Sequence, residues 1–222
     1  MIFPAHPPAD ASLQRWLAYA RFLALFTIFY NLVEGLVSMG FGWADDSMAL
    51  FGFGADSFIE VGSALLVLWR LRGEAGGCAS ERLRRERRAA LGIGVLLALL
   101  ALGTAAGAVV QLVLRHHPDT TIPGLLVSLA SLGFMFWLWT SKKRAARALD
   151  SRSLEGDAAC SLACIQLSTV LFAGSLVFLL APVLWWVDAV AAFLLAGFIV
   201  REGIEGIRAA LRPGFTGGCG CH

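Results

Sequence analysis

The stretch from Ser47 to Arg70, "SMALFGFGADSFIEVGSALLVLWR", is long and apolar enough to cross a lipid bilayer as a helix, yet it contains Asp56 and Glu60. About 20 apolar residues in a helix span a hydrocarbon core of ~30 Å. Two residues four apart lie one turn apart on the same helix face. Because an ionised side chain at membrane depth costs ~2.5–3.5 kcal/mol on insertion scales, this pair marks a candidate functional site.

The rest of the chain resembles this stretch in composition. Of its 222 residues, 58% are hydrophobic and 15% are charged, and the mean hydropathy is +0.72. These values predict an all-α membrane protein in which residues 1–15 form an N-terminal segment, 16–207 the membrane domain and 208–222 a short flexible tail. Six transmembrane helices are expected, at 16–40, 47–71, 89–114, 121–141, 154–181 and 185–207.

Positive charge is concentrated in the loops after the second and fourth predicted helices. The basic residues there are Arg70, Arg72, Arg82, Arg84, Arg85, Arg87 and Arg88 in the first loop, and Lys142, Lys143, Arg144, Arg147 and Arg152 in the second. The positive-inside rule therefore predicts that both termini are cytoplasmic. The run "ERLRRERR" is interpreted as a topology signal that contacts lipid headgroups, and no nucleic-acid partner is expected.

The fifth predicted helix carries a second polar set, "GDAACSLAC", with Asp157 followed by Cys160 and Cys164. Asp56 lies nine residues inside the second helix and Cys164 eleven inside the fifth, so each is roughly 14–16 Å deep at 1.5 Å per residue. The two helices run in opposite directions. If they pack together, Asp56 comes level with Cys164, and Glu60 comes level with Cys160.

Two carboxylates and two thiolates at one depth suit a tetrahedral Zn²⁺ site, and the sulfur ligands shift the preference toward Cd²⁺ or Cu⁺. The predicted metal ligands are therefore Asp56, Glu60, Cys160 and Cys164. Two simpler interpretations remain open. The cysteines can be core residues, and the carboxylates can be a protonated, hydrogen-bonded pair. No basic residue is expected at the depth of the carboxylates to neutralise them.

Several of these spacings resemble the cation diffusion facilitator family of metal transporters. In that family a serine near the start of helix two is followed by an Asp-x-x-x-Asp pair, and Ser47, Asp56 and Glu60 match this pattern. The stretch "YNLVEGLVSMGFG" before it resembles the end of the family's first helix. Asp157 matches the family's aspartate at the start of helix five, and Cys160 and Cys164 occupy the positions of its metal-binding pair. The stretch "WWVD" at Asp188 resembles the start of helix six. The resemblance covers about residues 31–207.

This resemblance implies a metal/proton antiporter that exports metal from the cytoplasm by alternating access. It also implies a homodimer, for which Gly103 and Gly107 in helix three offer a close-packing surface, and a bacterial inner-membrane location. The cysteines widen the metal to Cd²⁺, Cu⁺ or Hg²⁺, and the ion is a substrate, with no permanently bound cofactor. The family's cytoplasmic C-terminal domain is expected to be missing.

The remaining polar residues are assigned alternatives. Glu34, with Asn31 one turn before it, is either a proton relay or a hydrogen-bonded packing group. Asp157 is expected to cap helix five or to line the inner mouth on the proton pathway. The tail residues Cys219, Cys221 and His222 either capture metal or belong to an unstructured end.

Two other functions compete with transport. The protein can be a metal sensor or scaffold that does not transport, or a thiol oxidoreductase that uses Cys160 and Cys164. The spacing of three residues between the cysteines and the nearby acids disfavour the second. No nucleotide-binding motif is present in the sequence, and an enzyme is not expected.

Overall fold

The computed structural model describes residues 9–44, 48–73, 78–114, 122–184 and 186–212. These residues form six long helices, joined at one point by a 3₁₀ turn at Pro182–Leu184. The helices are α1 (Ala9–Ala44), α2 (Met48–Arg72), α3 (Ala79–Leu114), α4 (Ile122–Leu149), α5 (Arg152–Leu180) and α6 (Val187–Leu211). The predicted all-α fold with six helices is therefore confirmed.

Three of the predicted helix boundaries differ from the structure by seven to ten residues. Helix α1 begins at Ala9 rather than at 16, α3 begins at Ala79 rather than at 89, and α4 runs to Leu149 rather than ending at 141. Hydropathy detects only the apolar part of a helix, whereas Arg, Glu, Lys and Ala are strong helix formers that extend it into the aqueous phase. As a consequence, Lys142 lies inside α4 and not in a loop.

Three segments within the described residues are long and apolar enough to cross a membrane, namely Ser12–Phe41, Gly52–Arg72 and Ala79–Leu114. The 36 residues of α3 correspond to a length of about 54 Å at 1.5 Å per residue. A hydrocarbon core is ~30 Å thick. The charged start of α3 therefore extends beyond the bilayer.

Four helices form a closed ring in which α1 contacts α2 and α4, and α5 also contacts both α2 and α4. The remaining helices, α3 and α6, pair closely with each other and pack against α5, while α3 also contacts α2. Large apolar side chains such as Phe29, Leu102 and Phe198 point outward and are at least half exposed. A bundle with an apolar exterior suits lipid as its solvent.

Glycines allow the closest helix contacts. A Cβ atom at Gly54 of α2 would lie 2.9 Å from the carbonyl oxygen of Gly35 in α1, and one at Gly203 of α6 would lie 3.0 Å from that of Gly94 in α3. Small residues let membrane helices approach closely enough for backbone contacts. By contrast, a Cβ at Gly103 would meet nothing within 4 Å, so this part of α3 is an open surface.

Charged groups hold the helices together where α2 ends and α3 begins, which we call the basic end. Glu86 of α3 is 3% exposed and pairs with Arg70 of α2. Its Oε1 atom accepts hydrogen bonds from Ser151 Oγ at 2.8 Å and from Ser153 N at 2.7 Å. Because these partners belong to different elements, Glu86 joins α2, α3 and the start of α5.

Arg87, the next residue, joins α3 to the end of α6. Its Nε atom donates to Ala210 O at 2.6 Å, and its Nη2 atom donates to Leu211 O at 3.3 Å. The last carbonyls of a helix lack intrahelical partners and carry partial negative charge, which a guanidinium satisfies. The run "ERLRRERR" is thus more than a topology signal, since at least three of its residues make tertiary contacts: Glu86, Arg87 and Arg85, whose guanidinium lies over the Trp69 ring.

Candidate metal-binding site

The predicted ligands face one another across the interface of α2 and α5 inside the four-helix ring. All four are buried, with exposed fractions of 6% for Asp56, 0% for Glu60, 1% for Cys160 and 4% for Cys164. We call this polar interface the α2–α5 seam, which consists of Asp56, Glu60, Ser63, Asp157, Cys160, Ser161 and Cys164. The helical spacing of four in each helix places each pair on one face.

In one of the two predicted pairs, the thiol of Cys164 lies next to the carboxyl group of Asp56. The Asp56 Oδ1 atom is buried and has no hydrogen-bond partner. Buried carboxylate oxygens normally have a partner. A buried carboxylate oxygen without a hydrogen-bond partner, next to a thiol, offers two donor atoms to a cation.

Glu60 accepts hydrogen bonds from α4 and α5 side chains other than Cys160. Its Oε1 atom accepts hydrogen bonds from Ser161 Oγ and from Lys142 Nζ, the latter at 3.1 Å. Its Oε2 atom is buried and without a hydrogen-bond partner. Cys160 lies next to the side chain of Ser63. Glu60 therefore has one oxygen that accepts hydrogen bonds and one that has no hydrogen-bond partner.

Lys142 overturns the expectation that no basic residue lies at this depth. Its side chain is 1% exposed, and its Nζ atom lies 3.1 Å from Glu60 Oε1, 3.1 Å from Asp157 Oδ2 and 2.9 Å from Ser161 Oγ. The ammonium group thus joins α4 to both helices of the seam. A buried ammonium paired with two carboxylates is a satisfied arrangement, whereas an isolated one is very costly.

A sequence signal for the burial of Lys142 was present. The neighbouring residues Met135, Leu138, Ala145 and Ala146 recur at helical spacing and are at most 1% exposed. Lys142 is four residues after Leu138 and four before Ala146, so it falls on the same face. Continuing the periodicity of α4 past 141 would have placed Lys142 inside the bundle.

Asp157 does not cap α5, which was one of the two roles predicted for it. The cap is Ser151, whose side chain accepts a hydrogen bond from Leu154 N. Asp157 lies inside the helix, 1% exposed, where its Oδ1 atom accepts from Ser63 Oγ at 2.6 Å and its Oδ2 atom faces Lys142. The connection before the cap is very tight, because Asp150 has a left-handed backbone (φ 45°) and Ser151 N bonds to Ala146 O at 3.0 Å.

Glu34 of α1 is hydrogen-bonded to two side chains. Its Oε1 atom accepts from Tyr30 OH at 3.0 Å and its Oε2 atom from Ser57 Oγ at 3.1 Å. Ser57 directly follows Asp56 in α2. Asn31 donates its Nδ2 to Thr27 O at 3.0 Å, while its Oδ1 is buried without a hydrogen-bond partner. Glu34 is thus linked through one serine to the helix that carries Asp56.

Taken over the described ranges, no three His, Cys, Asp or Glu side chains are grouped closely enough to hold a metal ion together. The donors still fit one chemically. Thiol sulfur and two buried carboxylate oxygens without hydrogen-bond partners, Asp56 Oδ1 and Glu60 Oε2, form a soft and borderline ligand set. Coordination by all four predicted ligands requires side-chain movement around Lys142.

Cys219, Cys221 and His222 lie outside the described residues, as does Ser47. The backbone of Asp188 belongs to the first turn of α6, but its side chain is not described.

Comparison with protein-family models identifies the chain. Residues 24–212 match the model of the cation efflux transmembrane domain. The match covers more than half of the chain and includes Glu34, Asp56, Glu60, Lys142 and both seam cysteines. With six helices, of which at least three suit a bilayer by length and composition, the protein is an integral membrane protein. It belongs to the cation efflux family of transporters.

Proposed function

We propose that this protein exports Zn²⁺ or Cd²⁺ from the cytoplasm in exchange for protons, and that the metal binds in the α2–α5 seam. The observation that carries the proposal is the pair of buried carboxylate oxygens without hydrogen-bond partners, Asp56 Oδ1 and Glu60 Oε2, one turn apart on a helix that faces two thiols. Leaving buried polar atoms unsatisfied is costly, and a divalent cation between them would remove that cost.

The donor set supports a soft or borderline metal. Cys164 already contacts Asp56, and Cys160 lies one turn away on the same face of α5. Thiolate ligands favour Zn²⁺, Cd²⁺, Cu⁺ or Hg²⁺ over hard ions such as Mg²⁺, which prefer oxygen alone. Zn²⁺ and Cd²⁺ accept mixed sulfur and carboxylate coordination, which is the set that the seam offers.

Proton exchange follows from the chemistry of the same ligands. A thiol must lose its proton to bind metal, so metal binding releases protons and reprotonation favours metal release. Glu34, Asn31 and Asp157 extend the polar network on either side of the ligands, and we assign them to the proton pathway. Alternating access of the seam to the two sides of the membrane then couples the two fluxes.

The orientation is proposed from the charge distribution. The basic end carries Arg70 and the charged start of α3, and by the positive-inside rule it faces the cytoplasm, as do both termini. The tail residues Cys219, Cys221 and His222 would then lie on the side from which metal enters and could capture it. The open surface of α3 at Gly103 and Gly107 is the proposed homodimer contact.

Metal-driven proton movement in proteoliposomes tests this function. Wild-type protein is expected to move protons when Zn²⁺ or Cd²⁺ is added, but not when Mg²⁺ is added, as reported by a pH dye trapped inside. A Cys160→Ala, Cys164→Ala double variant is expected to lose the response or to change its metal preference, because it loses both sulfur ligands.

The matched control is Cys78→Ala, which removes an exposed free cysteine outside the seam and is expected to transport normally. If the wild type binds metal but moves none in sealed vesicles, the protein is a scaffold or sensor and the transport proposal is wrong. If the double variant transports like the wild type with unchanged preference, the seam cysteines are not ligands.

A further inference from the structure

Lys142 places a positive charge inside the seam where the metal is proposed to bind. Its ammonium group, Glu60 and Asp157 form a buried triad in which every side chain is at most 1% exposed. One ammonium group lies between two carboxylates, so one negative charge of the triad is not neutralised and a further positive charge would balance it. Ser161 completes the environment of the ammonium group at 2.9 Å.

Glu60 cannot serve Lys142 and a metal equally well. Its Oε1 atom already accepts two hydrogen bonds, from Lys142 and Ser161. A divalent ion bound by the same carboxylate would lie close to the ammonium group, and repulsion between like charges is strong in a buried site. Metal binding at Glu60 therefore requires the ammonium group to withdraw.

Asp157 offers the ammonium group an alternative ion-pair partner when it leaves Glu60. Asp157 Oδ2 is as close to Lys142 Nζ as Glu60 Oε1 is, at 3.1 Å. The lysine stem has four flexible carbons, so a small rotation is enough to break one contact and keep the other. Asp157 is itself positioned by Ser63, which donates to its other oxygen.

We propose that Lys142 is a tethered cation that competes with the transported metal for Glu60. It binds Glu60 when no metal is present and is held by Asp157 alone when the metal binds. This proposal rests on the proposed function, because competition matters only if the seam binds metal. Lys142 thus keeps the empty carrier neutralised, lowers the affinity for metal and favours metal release.

A purely structural role for Lys142 predicts the opposite sign. If the ammonium group only holds α4 against α2 and α5, its removal disorders the ligands and weakens metal binding. If it competes, its removal frees Glu60 and tightens binding. The sign of the change in affinity therefore separates the two roles.

Titration of the purified full-length protein with Cd²⁺, followed by thiolate-to-cadmium charge-transfer absorption, measures this sign. Because Lys142→Met alone leaves two buried carboxylates, the main comparison is between Asp157→Asn and the double variant Asp157→Asn, Lys142→Met. The second variant is expected to bind Cd²⁺ at least about tenfold more tightly, which corresponds to one ion-pair contact of about 1.4 kcal/mol. Adding Glu60→Gln to both is expected to abolish the difference.

Asp157→Asn alone gives an independent result. It removes the group that holds the withdrawn ammonium, so Lys142 is left on Glu60 and Cd²⁺ affinity is expected to fall below that of the wild type. A double variant that binds no more tightly than Asp157→Asn overturns the proposal. So does a double variant that fails to fold while Asp157→Asn folds, because the ammonium would then be structural.

Failure of this inference differs from failure of the proposed function. If wild-type protein does not bind Cd²⁺, or binds it equally well after Asp56→Asn, the seam is not the metal site and both proposals are wrong. If wild-type binding depends on Asp56 and Cys164 but is unaffected or weakened by the loss of Lys142, only the competition proposal is overturned.

Discussion

Asp56→Asn is expected to lower metal-driven proton flux at least about hundredfold while the protein still folds. Asparagine has the shape of aspartate but no charge, and removing one partner from a buried charged contact costs about 3–5 kcal/mol. That cost corresponds to a hundredfold or greater loss of affinity. The fold should tolerate the change, because Asp56 Oδ1 makes no hydrogen bond and Asp56 contacts Cys164 rather than a basic residue.

The measurement is initial flux against Zn²⁺ concentration in proteoliposomes, together with thermal stability in detergent. Glu155→Gln is the matched control, since Glu155 is an exposed acid of α5 that pairs only with Arg152 at its own helix start in the described contacts. It is expected to leave transport unchanged. Normal flux in Asp56→Asn would show that the Asp56 carboxylate is not a metal ligand.

Glu86→Gln is expected to destabilise the folded bundle by about 3–5 kcal/mol, because it removes the charge that pairs with Arg70 at the basic end. The hydrogen bonds from Ser151 and Ser153 can persist to the glutamine oxygen, so the loss comes from the ion pair. Reversible unfolding in mixed micelles with increasing SDS measures this change in the free energy of unfolding.

Glu81→Gln provides the control within the same helix. Glu81 pairs with Arg85 at 2.8 Å on the exposed surface, with 45% of its own side chain accessible, and exposed pairs contribute little. Its stability is expected to stay close to that of the wild type. If both variants unfold alike, burial of Glu86 does not decide its contribution, and the contact that joins α2, α3 and α5 is weaker than the structure implies.

The sequence was sufficient for the parts of the fold that depend on a long apolar run. Six such runs gave the number and order of helices, and acids inside them revealed Asp56, Glu60 and Asp157. The start of α3 and the end of α4 were missed because charged residues with high helix propensity look like loops to a hydropathy scale.

Within the site, the sequence identified the candidate residues but not all of the side chains that contact them. Helical spacing put Asp56 beside Glu60 and Cys160 beside Cys164, and antiparallel depth brought Asp56 to Cys164. Glu60 and Asp157 are hydrogen-bonded by Lys142 on α4 and by two serines. Lys142 lies on a third helix, and sequence spacing does not predict which side chains of α2 and α5 it contacts. Only the three-dimensional packing of α4 against the seam reveals that contact.

Zinc K-edge X-ray absorption on the protein loaded with one equivalent of Zn²⁺ tests the metal site most directly. We predict sulfur neighbours at about 2.3 Å together with oxygen neighbours at about 2.0–2.2 Å, and loss of the sulfur shell in a Cys160→Ser, Cys164→Ser variant. A wild-type spectrum with no sulfur shell, or a sulfur shell that survives both substitutions, would show that the transported metal is not bound by the α2–α5 seam.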